Sequence, residues 1–279
     1  IIKYVIDYAN ISISVIHATI SQEIRNRLHI FIPFKLQQRP FFTPYIYNNI
    51  SNFAEMNKFK VIQPSASLTP YVKQYWFLAM ENVTLCSQRL VPLGCTALCF
   101  HRGNRIYSSS NGDYLPQSYL YGIATDYTNL AFQDILISSA FFSATGIKAF
   151  FKTPLHETNN SYLPLDILNN PELLELEQQL NDATDDLQCV RLIEHFLLLC
   201  ISQSDNYEDK RINAVINSIH RGESNIDRLA EISCLSYKQF KRLFAEHIGT
   251  NPKDFLRIMR FQKLHYLLQT HTDMTLKQL

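Results

Sequence analysis

Two short helical patterns separated by a three-residue turn lie near the C-terminal end of the chain, and they restrict its fold more than any other feature. The first pattern covers residues 226–233, the turn covers 234–236 and the second pattern covers 237–247. Ala230 places a small side chain where two helices must approach closely. Two short helices joined by so tight a turn are typical of a helix-turn-helix unit.

Residues at the helix boundaries support this interpretation. Ser236 and Gln239 have the three-residue spacing of a capping box, so they predict a helix that begins after Ser236. Gly249 follows that helix as a residue suited to a left-handed end. A further helix over 210–220 precedes the pair, and its apolar residues follow helical spacing: Ile212, Val215, Ile216 and Ile219.

Gly222 ends that preceding helix, and Ser224 or Asn225 is the predicted cap of the next one.

The second helix of the pair has two different faces. One is predicted to be buried and carries Phe240, Leu243, Phe244 and His247. The other is basic and carries Lys238, Lys241, Arg242 and Ala245. An anchored helix that presents Lys and Arg suits the major groove of DNA, where Arg binds the O6 and N7 acceptors of guanine. The alternative is a surface helix whose basic side chains are only solvated.

Charge is distributed unevenly along the chain. Residues 208–279 hold 12 Lys and Arg against 8 Asp and Glu, whereas residues 1–207 hold 14 against 17. The C-terminal part therefore carries a formal net charge of +4 and the rest −3. A basic C-terminal part favours a polyanionic partner.

Residues 61–151 have the sequence pattern of a β-rich region. The segments are short, aromatic and β-branched, and turn signals separate them, as at Asn111-Gly112. Predicted strands cover 72–79, 96–101, 119–123 and 130–137. After Pro164 the sequence becomes rich in Leu and Glu, and helices are predicted over 171–180 and 184–202, the first of them with Asn170 as cap.

The predicted fold class is α+β: a β-rich N-terminal domain, a helical connector and an all-α helix-turn-helix C-terminal domain. Residues 56–165 form the β-rich sensor or dimerisation domain, 166–206 the connector and 207–279 the DNA-binding domain. The connector helices dock on the β region or pair with a second copy. The first Met is Met56, so we interpret residues 1–55 as an extension outside the native protein, the alternative being a genuine N-terminal segment.

Several residues of the C-terminal part follow the pattern of a known family. They are Leu229, Ala230, Ser236, Phe240, Arg242, Phe244, Gly249, Pro252, Phe255, Arg260, Leu267 and Leu268. In this pattern the chain resembles the AraC/XylS family of bacterial transcription activators. The resemblance implies a long helix over 252–270 that joins two helix-turn-helix units, the second of which begins at 275–279 and is incomplete.

The resemblance also implies roles for individual residues. Lys238, Lys241 and Arg242 are directed at base edges or phosphates, and Ser236 and Tyr237 lie near the DNA backbone. Base preference does not transfer, because the position of Lys238 varies freely in the family. Leu264 also departs from the pattern, since it stands where family members usually have a small residue.

Arg260 is interpreted as structural or phosphate-facing.

These observations predict a cytoplasmic, sequence-specific transcription regulator that binds double-stranded DNA and is controlled by its N-terminal domain. The sequence leaves open whether the protein binds a small-molecule effector and whether it forms a homodimer. It does not identify ligand-binding residues. The alternative is a ligand- or protein-binding module whose helical tail packs and does not read DNA.

Enzymatic functions have little support in the sequence. No uninterrupted apolar run reaches the roughly 18 residues of a membrane span, and no phosphate-binding loop or nucleophile elbow occurs. His101 is interpreted as a turn residue, so no metal site is expected. Cys95 lacks the adjacent cations that would activate a thiol, and the six cysteines are expected to be buried thiols. We therefore predict a protein that is not an enzyme and needs no cofactor.

Overall fold

A computed structural model of the chain describes residues 57–82, 85–151, 155–201 and 207–270. The predicted extension over residues 1–55, Met56 and the start of the second helix-turn-helix unit at 275–279 lie outside these residues. Within residues 53–261, strands and helices form one compact unit. The observed α+β architecture confirms the predicted fold class, whereas the three boundaries between the four predicted segments stay predictions.

Ten strands lie between residues 57 and 164. They are β1 Asn57–Ile62, β2 Val72–Met80, β3 Cys86–Leu90, β4 Ala97–His101, β5 Tyr107–Ser108, β6 Asp113–Tyr114, β7 Ser118–Tyr121, β8 Thr128–Phe132, β9 Leu136–Phe142 and β10 Tyr162–Pro164. Six of them form one sheet in the order β1-β2-β9-β4-β7-β10, and β3-β8-β5-β6 form a second. Every pairing is antiparallel.

The predicted strand over 130–137 is wrong, because this segment is divided between β8 and β9. Asp134 takes a left-handed backbone conformation, with φ of 38°, and its main chain turns between the two strands. A short polar residue such as Asp tolerates this conformation. The break moves residues 128–132 into the smaller sheet and residues 136–142 into the larger one.

Two connector helices, α1 Pro171–Asn181 and α2 Asp186–Cys200, pack on one face of the larger sheet. The Asn170 side chain accepts a hydrogen bond from Leu173 N, which confirms the predicted cap of α1. Polar contacts fix the docking as well: the Glu194 carboxylate on α2 accepts hydrogen bonds from Ser65 N and from the Tyr75 hydroxyl. Of the two arrangements that the sequence left open, the structure has the docked one.

Four helices follow: α3 Tyr207–His220, α4 Ile226–Ile232, α5 Tyr237–Ile248 and α6 Pro252–Thr270. Gly222 and Gly249 both have positive φ, as a left-handed helix end requires. Among the described residues, no helix is both long and apolar enough to cross a bilayer.

The buried residues of these helices form one apolar core. It includes all four predicted apolar positions of α3, the α4 residues Leu229 and Ala230, and the aromatic rings of Phe240, Phe244 and Phe255. Ring contacts join Phe240 to Phe244 and Phe244 to Phe255, with centroids 5.6 and 5.5 Å apart. This aromatic contact holds α5 against the start of α6.

Candidate nucleic-acid interface

Helix α4, the turn and helix α5 form the predicted helix-turn-helix unit. Asn225 caps α4, and its side-chain oxygen accepts hydrogen bonds from Asp227 N and Arg228 N at 2.9 and 3.2 Å. Cys234 lies in the turn with φ of 54°, and its side chain is exposed. The left-handed residue lets the chain reverse direction between the two helices within three residues.

The start of α5 is fixed by the predicted capping box. The Ser236 hydroxyl accepts a hydrogen bond from Gln239 N, and the Gln239 side chain accepts one from Ser236 N at 3.2 Å. This reciprocal pair satisfies two backbone donors that the first turn of a helix leaves without partners. The beginning of α5 therefore has a defined orientation.

The structure places all five sequence-predicted site residues at the start of α5 or on its exposed surface. Ser236 is the cap, and Tyr237 is 46% exposed. Lys238, Lys241 and Arg242 are exposed on the helix. The Arg242 side chain is 77% exposed and lies 3.8 Å from the Glu246 carboxylate, an arrangement that leaves the guanidinium accessible.

The opposite face of α5 is buried, as the spacing predicted. Phe240 and Phe244 are fully buried, and Leu243 is 6% exposed. The helix is therefore anchored on one side by apolar packing and presents cations on the other. Such a helix holds Lys and Arg in fixed positions that a DNA groove can match.

His247 also lies on the buried face, but it makes polar contacts as well. Its ring is 1% exposed, and its Nε2 atom lies 3.2 Å from the Asp209 carboxylate of α3. Burial lowers the pKa of His247, Lys148 lowers it further, and Asp209 and Glu208 oppose the shift. Helical spacing predicted that His247 lies on the buried face, but it gave no sign of Asp209, because 38 residues separate the two and no local spacing reveals the pair.

The helices also pack against the sheet region. Ile123 and Ala144, from the sheet region, belong to the apolar core of the helices. The Thr145 hydroxyl donates a hydrogen bond to the Asn213 side-chain oxygen of α3 at 2.7 Å. We call this contact surface the helix–sheet interface. It consists of Ile123, Ala144, the hydrogen bond between Thr145 and Asn213, and the contact between Gly249 and Leu155.

Gly249 shows how close this interface is. A Cβ atom there would lie 2.8 Å from the Leu155 carbonyl oxygen, so the backbone at the end of α5 touches the 3₁₀ helix Leu155–Thr158 directly. A larger residue at position 249 would also be strained by its φ of 90°. The C-terminal end of α5 is thus packed on the sheet region, while its basic side chains lie nearer its beginning.

Comparison with known proteins gives two sequence similarities. Residues 60–164 match a family model described as a domain of unknown function, DUF6597. A Haemophilus influenzae protein named "Uncharacterized HTH-type transcriptional regulator" is 32% identical over 128 residues, which cover 39% of this chain. The chain spans 43% of the length of that relative.

The chain is similar to this helix-turn-helix regulator, and α4, the turn and α5 have the caps and the short turn of a helix-turn-helix unit.

Two solved structures of AraC-type and related proteins are weakly similar. The AraC-like transcriptional activator CuxR is 12% identical, with 80% of this chain and 89% of that chain covered and a TM-score of 0.30. ToxT from Vibrio cholerae is 10% identical, with 68% of this chain and 98% of that chain covered and a TM-score of 0.26. Likenesses as weak as these do not indicate a role for the chain.

Two reactive side chains considered from the sequence, His101 and Cys95, lie inside the sheet region. His101 is not a turn residue but the last residue of β4, and it is 1% exposed. Burial lowers its pKa to about 4, and Arg105 adds to the shift. Burial raises the pKa of Cys95 to about 12, which keeps its thiol protonated at neutral pH.

The expectation that all cysteines are buried is wrong. Cys95, Cys99 and Cys189 are buried, whereas Cys86 and Cys200 are half-buried and Cys234 is exposed in the turn. Across the described ranges, no group of three or more His, Cys, Asp or Glu side chains is placed to hold a metal ion.

Proposed function

We propose that this chain is a sequence-specific DNA-binding transcription regulator of the AraC type, and that α5 enters the major groove. The observation that carries the proposal is the exposure of Lys238, Lys241 and Arg242 on a helix whose other face is anchored by Phe240 and Phe244. The phosphate charge of DNA attracts such a surface, and Arg in a fixed position discriminates guanine. Ser236 and Tyr237, at the start of the helix, are proposed to contact the backbone.

We further propose that the sheet region controls DNA binding through the helix–sheet interface. The end of α5 packs on Leu155, and Thr145 is hydrogen-bonded to α3, so a change in the sheet region would alter how the helices are held. The interface joins the sheet region to the DNA-binding helices without covering their basic side chains.

The second candidate function is a ligand- or protein-binding module whose helices pack on the rest of the protein and do not read DNA. The helix–sheet interface favours it, because Ile123 and Ala144 show that the helices do pack on the sheet region. Packing does not explain, however, why three cations on α5 are exposed together. The two functions differ in salt response, since binding through phosphate neutralisation weakens steeply with ionic strength.

A gel-shift assay tests the proposal. The full chain would first select DNA fragments from genomic DNA, and the affinity for a selected fragment would then be measured for wild type, Lys241→Ala and Arg242→Ala. Lys60→Ala is the matched control, because Lys60 is a half-exposed cation on β1. We expect a loss of about 1–3 kcal/mol for Arg242→Ala if it binds guanine.

Lys241→Ala is expected to weaken binding to all fragments by a similar factor, as loss of a phosphate contact does. The control variant should bind like wild type. Unchanged affinity in both α5 variants would refute the assignment of α5 as the DNA-reading helix.

A further inference from the structure

The environment of His247 is unusual for a residue on the proposed DNA-reading helix. The ring lies in the last turn of α5 and is almost completely buried. Its Nδ1 atom lies 3.0 Å from the Leu243 carbonyl oxygen, and its Nε2 atom lies 3.2 Å from the Asp209 carboxylate. The Glu208 carboxylate is 4.0 Å from the same Nε2 atom. Both ring nitrogens therefore lie close to oxygen atoms, but within the described residues Nε2 and the nearer Asp209 oxygen have no hydrogen-bond partner.

This arrangement cannot be fully satisfied by a neutral ring. A carbonyl and an ionised carboxylate only accept hydrogen bonds, and a neutral imidazole has a single N–H to donate. In either tautomer, one nitrogen lone pair faces an oxygen. An imidazolium would carry an N–H at both nitrogens, but it would place a positive charge in a buried site.

Charged groups from two elements act on the ring in opposite directions. On α3, Asp209 and Glu208 favour the protonated form. In the sheet region, Lys148 on the 3₁₀ helix Gly146–Ala149 disfavours it. Burial is the largest effect and also disfavours the charged form, so the pKa of His247 lies below its usual value of 6.5.

We propose that His247 is a proton-sensitive positioning residue of α5: when its ring takes up a proton, the packing of the helix end against α3 and the sheet region weakens, and DNA binding weakens with it. The expected effect on DNA binding rests on the proposed function, whereas the expected protonation of the His247 ring does not. Lys241 and Arg242 lie less than two turns before His247 on the same helix, so a shift of the helix end displaces them.

The direction of the pH effect follows from the lowered pKa. A histidine that is harder to protonate in the folded protein binds more protons when its site opens. The packed arrangement is therefore fully favoured above pH 6.5, and it loses stability as the pH falls from 6.5 toward the lowered pKa of His247. Acidification therefore favours states in which water reaches the His247 ring and the ring lies farther from Lys148.

The first experiment follows the ring itself. NMR titration of the full chain would measure the pKa of His247, assigned by comparison with His247→Gln. Lys148→Met removes a repelling cation, so it should raise the pKa, whereas Asp209→Asn removes an attracting anion and should lower it. Opposite shifts of the ring pKa would show that charges from the sheet region and from α3 both act on the ring.

The second experiment measures DNA affinity for the same four proteins between pH 7.5 and 5.5. Wild type should lose affinity severalfold on acidification, because the packed form of the site binds a proton less readily than the opened form. His247→Gln should be nearly insensitive, and the midpoint should move up in Lys148→Met and down in Asp209→Asn. Retention of the wild-type pH profile by His247→Gln would overturn the proposal.

An unshifted His247 pKa in both charge variants would overturn it equally. If DNA binding were absent at every pH while the two pKa values moved in opposite directions, the failure would belong to the proposed function and not to the proton-sensitive ring.

Discussion

At the scale of single residues, the caps of the helix-turn-helix unit account for its local geometry. The sequence left Ser224 and Asn225 as alternative caps for α4, and the structure selects Asn225, whose side chain accepts two backbone hydrogen bonds. The choice depends on backbone conformation. Asn225 is the residue with extended φ and ψ directly before the helix, a property that residue type alone does not reveal.

This difference gives a matched pair of substitutions. Asn225→Ala should lower the free energy of unfolding by about 1 kcal/mol, because two N–H groups of the first turn lose their acceptor. Ser224→Ala should change it little, since the Ser224 side chain does not cap the helix. Urea unfolding of both variants is the measurement, and equal effects would show that the cap has been misassigned.

His101 and His247 show how far single residues could be predicted. Helical spacing placed His247 correctly on the buried face of α5, because spacing reports which side of a helix faces the core. His101 was interpreted as a turn residue since it precedes Arg102-Gly103, yet it ends β4 and is buried. The residues next to His101 in the sequence do not show which strands pair with β4. The burial of His101 could therefore not be predicted from the local sequence.

At the scale of elements, helices were predicted better than strands. The bounds of α5 and α6 depend on local signals, namely the cap Ser236, the glycine at 249 and Pro252 at the first helical position. Strand order depends on pairing between distant segments, such as β2 with β9 and β9 with β4. The break at Asp134 was missed because the segment on each side is similarly apolar.

The two faces of α5 should differ sharply in their response to truncation. Phe240→Ala should lower the free energy of unfolding by about 3–5 kcal/mol, because a fully buried ring leaves a cavity between the helices. Tyr237→Ala, on the same helix but 46% exposed, should leave stability nearly unchanged and weaken DNA binding.

Thermal unfolding monitored by circular dichroism compares these two variants. A large loss of stability in Tyr237→Ala would place its ring in the core and contradict the division of α5 into a buried face and an exposed face.

At the scale of the whole molecule, the proposed control by the sheet region depends on the helix–sheet interface. None of its contacts was predictable, because Thr145 and Asn213 are 68 residues apart and follow no shared motif. A docked arrangement of this kind is the route by which a state of the sheet region could reach the helices proposed to bind DNA. The interface is therefore the place to test control.

Thr145→Val removes the hydrogen bond to Asn213 with little change of shape, and it should change DNA affinity by up to about fivefold, the equivalent of a hydrogen bond worth about 1 kcal/mol. Thr69→Val is the control, because its hydroxyl also donates to an oxygen but within the sheet region, to the Ser65 carbonyl. Identical affinities for wild type and both variants would argue against control through this contact.

The central claim is that the exposed face of α5 reads DNA sequence. Its most direct test is the ratio of affinities of the full chain for a selected duplex and for a scrambled duplex of the same composition, measured for wild type and Arg242→Ala at one salt concentration. We predict that wild type prefers the selected duplex and that Arg242→Ala loses much of this preference. Equal ratios for the two proteins, or a wild-type ratio near one, would contradict the account.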